Sequence, residues 1–175
     1  IVDNLFVVHA GTGGEATGDL NDIWSHRSIM RNPPVLDGMN FRGYSMEPEY
    51  TWDLGDSTIG VFSHEYGHEL GLPDLYDIIG AGEGIGRWGL MGSGSWNAGG
   101  SRPAHPCAWS KIQWNWAIPV VISEDQTGVN IPRVEDNQSI FRLWTNGAAG
   151  HQYFLVENRQ RTLFDDSLPG DGLLI

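Results

Sequence analysis

Residues 64–74 read HEYGHELGLPD, which brings two histidines, three carboxylates and two glycines into eleven positions. The apolar spacing around this stretch predicts a helix that Gly71 ends. In a helix of about 3.6 residues per turn, a separation of four puts His64 and His68 on one face, one turn apart. Two neutral imidazole nitrogens can therefore reach the same metal ion.

The predicted helix begins at Asp56 or Ser57, because either side chain can cap free amide groups. Gly60 and Gly67 lie inside it and cost about 1 kcal/mol each relative to Ala. We therefore expect packing to compensate, at points where another backbone comes close.

Glu65 lies about 100° around the same helix from His64. A carboxylate at that position flanks a bound metal and can hydrogen-bond a coordinated water. We therefore expect Glu65 to act as a general base and acid, and not as a ligand.

A catalytic zinc site needs three protein ligands and an open fourth position, so a third ligand is expected close by. Gly71 permits a left-handed conformation that turns the chain back toward the metal, and Pro73 stiffens the return. This favours Asp74 as the third ligand. The competing carboxylates are Glu69, Asp77 and Glu83.

The stretch 64–74 resembles the metzincin zinc signature, with Asp74 in the place of the usual final histidine. Residues 88–96, WGLMGSGSW, resemble the tight turn that carries a methionine below the metal in that superfamily. The resemblance implies that Met91 supports the metal site from below. Without the signature upstream, a lone methionine more often serves packing.

The longer string 64–77 is similar to the immune inhibitor A family of secreted bacterial peptidases, and so are residues 153–160 and 168–175. The similarity runs along most of the chain and is strongest over residues 60–96. It implies a secreted, calcium-stabilised zinc protease that is made with a pro-segment and further domains.

The expected fold class is α+β, with a zincin or metzincin-like catalytic core of mixed sheet and zinc-site helix, followed by a β-rich C-terminal part. We assign residues 1–117 to the core and residues 118–175 to the β-rich segment packed on it. The apolar runs at both ends lead us to expect a piece of a longer chain. The first strand and helix of the core would then precede Ile1.

Short apolar runs between turn residues predict the strands. Residues 5–8 are expected to form a buried central strand, and residues 44–46 an edge strand, since Pro48 follows. A second helix is predicted within residues 103–114, after a glycine-dense region of turns at 79–100. The last third is expected to hold strands at 120–123, 128–131, 140–144 and 153–157.

The composition excludes several classes of partner. A net charge of -12 with 10 Lys and Arg argues against nucleic acid, whose phosphates require a basic surface. No apolar stretch approaches the ~20 residues that span a bilayer. The single cysteine, Cys107, excludes a disulfide within the chain. Oligomeric state has no signature in the sequence.

Weaker candidates surround this site. Tyr76 or Tyr153 could donate a second hydrogen bond to an oxyanion, although a packed aromatic is the more common role. Residues 43–46 could align a substrate backbone by strand addition. The oxygen-rich patch Asp19, Asn21 and Asp22 could hold structural calcium, although a solvated turn is more common.

The favoured function is a zinc-dependent endopeptidase that hydrolyses peptide bonds in protein or peptide substrates, through a metal-activated water with Glu65 as general base. The alternative is a catalytically inert zinc-containing module that binds a partner or a carbohydrate. Glu65 argues against that alternative, because a purely structural zinc prefers a closed fourth ligand. A zinc amidase acting on a small substrate would keep the same site.

Overall fold

The computed structural model describes residues 5–175 of the 175-residue chain, so the first four residues of the opening apolar run lie outside the described residues. The N-terminal part contains β1 (Phe6–Thr12), α1 (Gly14–Thr17), β2 (His26–Ile29), β3 (Val35–Leu36), β4 (Met39–Asn40), β5 (Gly43–Tyr50) and α2 (Ile59–Glu69). Two 3₁₀ segments follow, Gly86–Trp88 and Ser93–Gly100. The remainder contains α3 (Ala108–Gln113), β6 (Val120–Ile122), β7 (Phe141–Trp144), β8 (Tyr153–Arg159) and β9 (Gly172–Leu174).

The N-terminal sheet has the order β1-β5-β2, with β1 parallel and β2 antiparallel to β5. This reverses two expectations. The strand around residues 5–8 is not central, since among the described strands β1 pairs only with β5, and its side chains Phe6 and Val8 are exposed. The segment 43–46 is not an edge, because it is paired on both sides.

Pro48 misled the prediction of an edge strand because it lies in the central strand β5. The antiparallel pairing with β2 stops at Met46, so Pro48 lies beyond the reach of that neighbour. On the other side, Pro48 stands opposite His9, next to the point where the register with β1 shifts. Proline is tolerated at such interruptions because no ladder hydrogen bond requires its missing N–H.

The predicted central helix is confirmed as α2, with a later start than expected. Thr58 is its N-cap residue, and its hydroxyl donates a hydrogen bond to the carbonyl of Gly99. Asp56 instead accepts hydrogen bonds from the backbone amides of Thr51, Trp52 and Asp53. The acidic side chain therefore organises the preceding turn, and the helix begins after it.

The two glycines inside α2 occupy points of close approach, and the expected neighbouring backbone is found at Gly60, whereas Gly67 meets a side chain. A Cβ on Gly60 would lie 2.0 Å from the carbonyl oxygen of Ser95, and one on Gly67 would lie 2.4 Å from the sulfur of Met91. The helix consequently packs directly against the backbone of the 3₁₀ segment Ser93–Gly100 and on β5.

The C-terminal sheet has the order β6-β7-β8-β9, and α3 packs on β8. Strands were predicted correctly at three of the four places, and the fourth, at 128–131, was wrong. Gly128 there has a φ of 70°, which is typical of a turn. The carbonyl of Ile131 accepts a hydrogen bond from the Asn158 side chain, so this loop is attached to β8 without a ladder.

A buried ion cluster joins this sheet to the rest of the molecule. Arg159 in β8 is fully buried, and its guanidinium lies 2.7 Å from Asp165 and 3.1 Å from Glu157. It also donates a hydrogen bond of 2.8 Å to the carbonyl of Trp88. Lys111 of α3 pairs with the other oxygen of Glu157 at 3.3 Å. One guanidinium thus holds three separate segments together.

The architecture is a mixture of small sheets and few helices, which is compatible with the α+β class. The division between residues 1–117 and 118–175 stays a prediction. Within residues 5–175, none of the helices has the length and apolar character needed to cross a bilayer.

Candidate metal centre and cleft

The structure brings His64, His68 and Asp74 together. The Nε2 atoms of the two imidazoles each lie 3.1 Å from the same oxygen, Oδ1 of Asp74. The two rings are nearly perpendicular, at 88°, with centroids 4.8 Å apart. Three potential donor atoms therefore converge on one point in front of α2.

This spacing fits a four-coordinate metal. With metal–ligand bonds of about 2.0–2.1 Å in a tetrahedron, donor atoms lie about 3.3 Å from one another. The observed 3.1 Å separations of the Asp74 oxygen from His64 and His68 are close to that value. The donor set, two imidazole nitrogens and one carboxylate oxygen, is also one that zinc accepts.

The second nitrogen of each ring is held by a backbone carbonyl. His64 Nδ1 donates to the carbonyl of Leu90 at 2.9 Å, and His68 Nδ1 donates to that of Leu72 at 2.7 Å. A carbonyl can only accept, so each Nδ1 carries a proton, and Nε2 is the nitrogen left to face the metal position. This is the usual way in which proteins orient metal-binding histidines.

Asp74 reaches the histidines because the chain turns sharply after α2. Gly71 has a φ of 92°, a left-handed conformation that favours glycine. The amide of Leu72 donates to the carbonyl of Gly67, and the amide of Leu75 donates to that of Met91. These two hydrogen bonds fix the loop on either side of Asp74.

The competing carboxylates lie elsewhere. Glu69 forms an ion pair of 2.8 Å with Arg27 of β2. Asp77 accepts a hydrogen bond from the amide of Ile79 and organises a local turn. Glu83 is exposed on the loop that follows. Asp74 is the carboxylate that contacts both imidazoles, and its role as a ligand stays a prediction.

Glu65 is buried beside the two histidines. His64, Glu65 and His68 each offer a ligand atom within 4.8 Å of the others. Burial raises the pKa of Glu65, and the charge of Asp74 adds to this, whereas the histidines oppose it. A carboxyl with a raised pKa is suited to accept and return a proton near neutral pH.

Met91 is buried under the helix that carries the histidines. It is 1% exposed and packs with Leu72 and Leu90, the two residues whose carbonyls hold the imidazoles. Its sulfur lies against Gly67, between His64 and His68 in sequence. Met91 therefore contacts the support of the site and not the metal position itself.

Of the two tyrosines, Tyr76 lies at the site. Its ring stacks on His64 with centroids 6.1 Å apart. Burial and the neighbouring Asp74 raise the pKa of Tyr76 to about 12, so its hydroxyl remains a donor at neutral pH. Tyr153, in β8, packs instead on Trp144 and Arg142.

Sequence reasoning missed Glu47, which lies in the central strand β5. Its side chain is fully buried, and neither carboxylate oxygen has a hydrogen-bond partner among the described residues. Burial, followed by the charges of Glu65 and Glu15, raises the pKa of Glu47 to about 8. A single acidic residue in a strand gives no local signal of this position.

Two cavities meet at His64 and Glu65. The larger, of about 600 Å³, is bordered by His68, Asp74 and Tyr76, together with His26 of β2. The smaller, of about 250 Å³, extends toward Trp24 and Trp96. A third cavity, of about 360 Å³ and lined by Trp116 and Phe164, contains none of the predicted site residues.

The oxygen-rich patch at residues 19–22 forms a local turn. Asp19 accepts hydrogen bonds from both the backbone and the side-chain amide of Asn21, and Asp22 accepts one from Thr17. These contacts satisfy the patch without a cation, so the described residues give no support to calcium there.

The known proteins that are similar to this chain are described as peptidases or proteases, or as immune inhibitor A. Residues 1–119 match the family model described as the immune inhibitor A peptidase M6 catalytic domain. The chain is 40% identical over 124 residues to pre-pro-metalloprotease PrtV of Vibrio cholerae serotype O1, covering 63% of this chain and 14% of that protein. It is 36% identical over 151 residues to immune inhibitor A of Bacillus thuringiensis subsp. alesti, covering 75% of this chain and 22% of that protein.

The chain therefore spans less than a quarter of the length of these curated relatives. The family model nevertheless covers more than half of the chain and includes every residue of the candidate metal centre. The resemblance noted in the sequence is thereby confirmed. The chain belongs to the immune inhibitor A peptidase M6 family, and residues 1–119 correspond to the catalytic domain of that family.

Proposed function

We propose that this chain is the catalytic part of a zinc-dependent endopeptidase of the metzincin type, which hydrolyses peptide bonds in proteins outside the cell. The observation that carries the proposal is the shared position of three donor atoms. The Nε2 atoms of His64 and His68 each lie 3.1 Å from Oδ1 of Asp74, with Glu65 beside them and an open cavity in front. The relatives named as a metalloprotease and as immune inhibitor A support it.

His64, His68 and Asp74 would hold the zinc ion. When bound, zinc would act as a Lewis acid that polarises the scissile carbonyl and lowers the pKa of water at the site. Asp74 brings a negative charge where a third histidine would be neutral. We therefore expect water at the site to be less acidic than with three histidines, and activity to be greatest at neutral to mildly alkaline pH.

Glu65 would move the proton. It takes the proton from the attacking water and later delivers it to the leaving amine. Its burial excludes bulk water from the carboxylate, and the resulting rise in its pKa brings the group nearer to the working pH. This combination favours a single group acting first as base and then as acid.

Tyr76 is the candidate for the second hydrogen bond to the developing oxyanion. Its ring stacks on His64, and its hydroxyl remains protonated up to about pH 12. A donor that is already oriented stabilises charge that develops only in the transition state.

The substrate would bind along β2 as an added strand. Among the described strands, β2 pairs with β5 alone, so its other edge is free. Its residues His26 and Arg27 border the cavity that contains His64 and Glu65. An extended peptide on this edge would be held by backbone hydrogen bonds beside the metal centre.

The test combines metal content with proteolysis. The wild-type protein, Glu65→Ala and the matched control Glu124→Ala, which changes an exposed carboxylate, are loaded with zinc and incubated with casein. All three should bind one equivalent of zinc, and only wild type and the control should cleave. Equal zinc binding with no cleavage by wild type would favour an inert zinc-containing binding module. Cleavage by Glu65→Ala at the wild-type rate would overturn the role of Glu65.

A further inference from the structure

The smaller cavity at the metal centre is built from several elements. Its volume is about 250 Å³, and His64 and Glu65 form the side that it shares with the reactive centre. Glu15 comes from α1, Trp24 from the loop before β2, and Trp96 from the 3₁₀ segment after Met91. A substrate side chain next to the cleaved bond is therefore within reach of this cavity.

Two indole rings form part of the walls. Trp24 is 48% exposed and Trp96 is 39% exposed, so each leaves ring surface accessible to a ligand. The Trp24 ring is held in place because it lies directly on the backbone of Gly14, where a Cβ would come within 2.2 Å of ring atoms. Indole faces attract cations more strongly than the other aromatic side chains do.

The charge of the cavity is negative. Glu15 lines it, and its carboxylate accepts hydrogen bonds from the backbone amide and the hydroxyl of Ser25, which orient the group. Two hydrogen bonds leave lone pairs of the carboxylate available to a ligand. No arginine or lysine is among the cavity-lining residues in the described part of the chain.

A second carboxylate, Glu47 of β5, is near two residues of this cavity but is not among its lining residues. Glu47 is fully buried, and within residues 5–175 neither of its oxygens has a hydrogen-bond partner. The charges of Glu65 and Glu15 are both close enough to raise its pKa. With a pKa of about 8, Glu47 is largely protonated at neutral pH, so the charge that a cation in the cavity would meet is that of Glu15. Arg27, on the neighbouring β2, is already paired with Glu69.

We infer that this cavity binds the side chain of an arginine or lysine adjoining the scissile bond, with Glu15 as the charged partner and the Trp24 and Trp96 rings as its walls. The inference rests on the proposed function and adds to it the substrate class. A methylene chain would lie along the indole rings while its cationic end meets the Glu15 carboxylate. An acidic side chain would be repelled.

The test uses one set of peptides in two measurements. The peptides share one scaffold and differ at the two positions that flank the cleaved bond, where each carries arginine, lysine, norleucine or glutamate in turn. Cleavage is measured with the zinc-loaded wild-type protein. Binding of the same peptides is measured by calorimetry with the zinc-loaded Glu65→Gln protein. The binding measurement remains informative even if cleavage does not occur.

At one of the two positions, arginine and lysine peptides should be cleaved and bound at least roughly five-fold better than the norleucine peptide, and the glutamate peptide should be poorest. Glu15→Gln should lower the ratio of arginine to norleucine binding by roughly five-fold. Trp96→Leu should lower it too. The matched control Glu124→Gln removes an exposed charge in the C-terminal half and should leave the ratio unchanged.

The outcomes separate the two proposals. Cleavage or binding that is equal for arginine and norleucine, or an arginine preference that survives Glu15→Gln unchanged, overturns the assignment of this cavity. A binding preference that depends on Glu15, without cleavage of any peptide or of casein, supports the cavity and overturns the endopeptidase function. A preference for arginine and lysine that depends on Glu15 in both cleavage and binding supports the cavity assignment and the endopeptidase function.

Discussion

Gly67 and Met91 are in direct contact through the floor of the metal centre: a Cβ on residue 67 would lie 2.4 Å from the methionine sulfur. The glycine lies on the helix that carries both histidines, and the methionine lies next to Leu90, whose carbonyl holds His64. The position of the helix therefore depends on a side chain from a segment more than twenty residues away.

Gly67→Ala should destabilise the protein despite the better helix propensity of alanine. The propensity gain is about 1 kcal/mol, and overpacking against Met91 costs about 1–3 kcal/mol. We expect a net loss of unfolding free energy in urea and weaker zinc binding. In the Met91→Ala background the same change should become neutral or stabilising. Equal effects in both backgrounds would contradict the contact.

Loss of a group that only hydrogen-bonds a metal ligand typically weakens metal binding by ~10–100-fold. Asp74→Asn should weaken zinc binding by more than that, because a ligand itself is changed. An amide keeps the shape of the side chain but loses the negative charge and the stronger donor oxygen. Competition with a chelator measures the affinity. Asp77→Asn is the matched control, because that carboxylate organises a turn on the same loop, and its zinc affinity should stay at the wild-type value.

Tyr76→Phe should lower kcat by about 100–1000-fold with little change in zinc affinity, because a donor to the developing oxyanion is lost. Steady-state kinetics on a cleaved peptide separates kcat from KM. Tyr66→Phe serves as the control, since that ring packs on Phe6 on the exposed face of the same helix. An unchanged kcat for Tyr76→Phe would remove this residue from the proposed mechanism.

Glu47 should make stability fall with rising pH. Its pKa is raised from 4.5 to about 8 in the folded state, so the native protein holds the proton more tightly. The contribution of protonated Glu47 to the free energy of unfolding is complete below about pH 4.5 and is lost as the pH rises through about 8. Glu47→Gln should flatten this dependence and stabilise the protein by about 1–3 kcal/mol at pH 8. Urea unfolding at pH 5, 6.5 and 8 measures it, and parallel curves would refute it.

Arg159→Met should cost about 3–5 kcal/mol of unfolding free energy, because Asp165 would remain buried without a cation and Glu157 would keep only Lys111. Arg133→Met is the control for the exposed pair with Asp136, and it should cost less than about 1 kcal/mol. Urea unfolding compares the two variants. Similar losses of unfolding free energy in both variants would show that burial does not determine how much these ion pairs contribute to stability.

The local features of the central motif could be predicted because they depend on residues close in sequence. The spacing of His64 and His68 fixes a shared helical face, and Gly71 fixes the turn that returns Asp74 toward them. Sequence therefore identified α2 and the three side chains that converge. The start of the helix was misplaced by two or three residues, since Asp56 caps the preceding turn instead.

Strand order could not be predicted from the chain itself. An apolar run such as residues 5–8 has the composition of a central strand, yet its place in the sheet is set by which distant strand pairs on each side. Pro48 suggested an edge, although its missing N–H matters only where a neighbour extends that far. Pairing partners lie tens of residues apart, so no local pattern encodes them.

Sequence by itself identified the three side chains that converge at the candidate metal centre, because helical periodicity and a glycine turn act over a few residues. Tertiary structure alone decided what surrounds it: Glu47 behind the centre, and Glu15, Trp24 and Trp96 around the adjoining cavity. These residues come from segments far apart in the chain. Their burial and mutual charge exist only after the segments pack, and that packing raises the pKa of Glu47 and shapes the cavity.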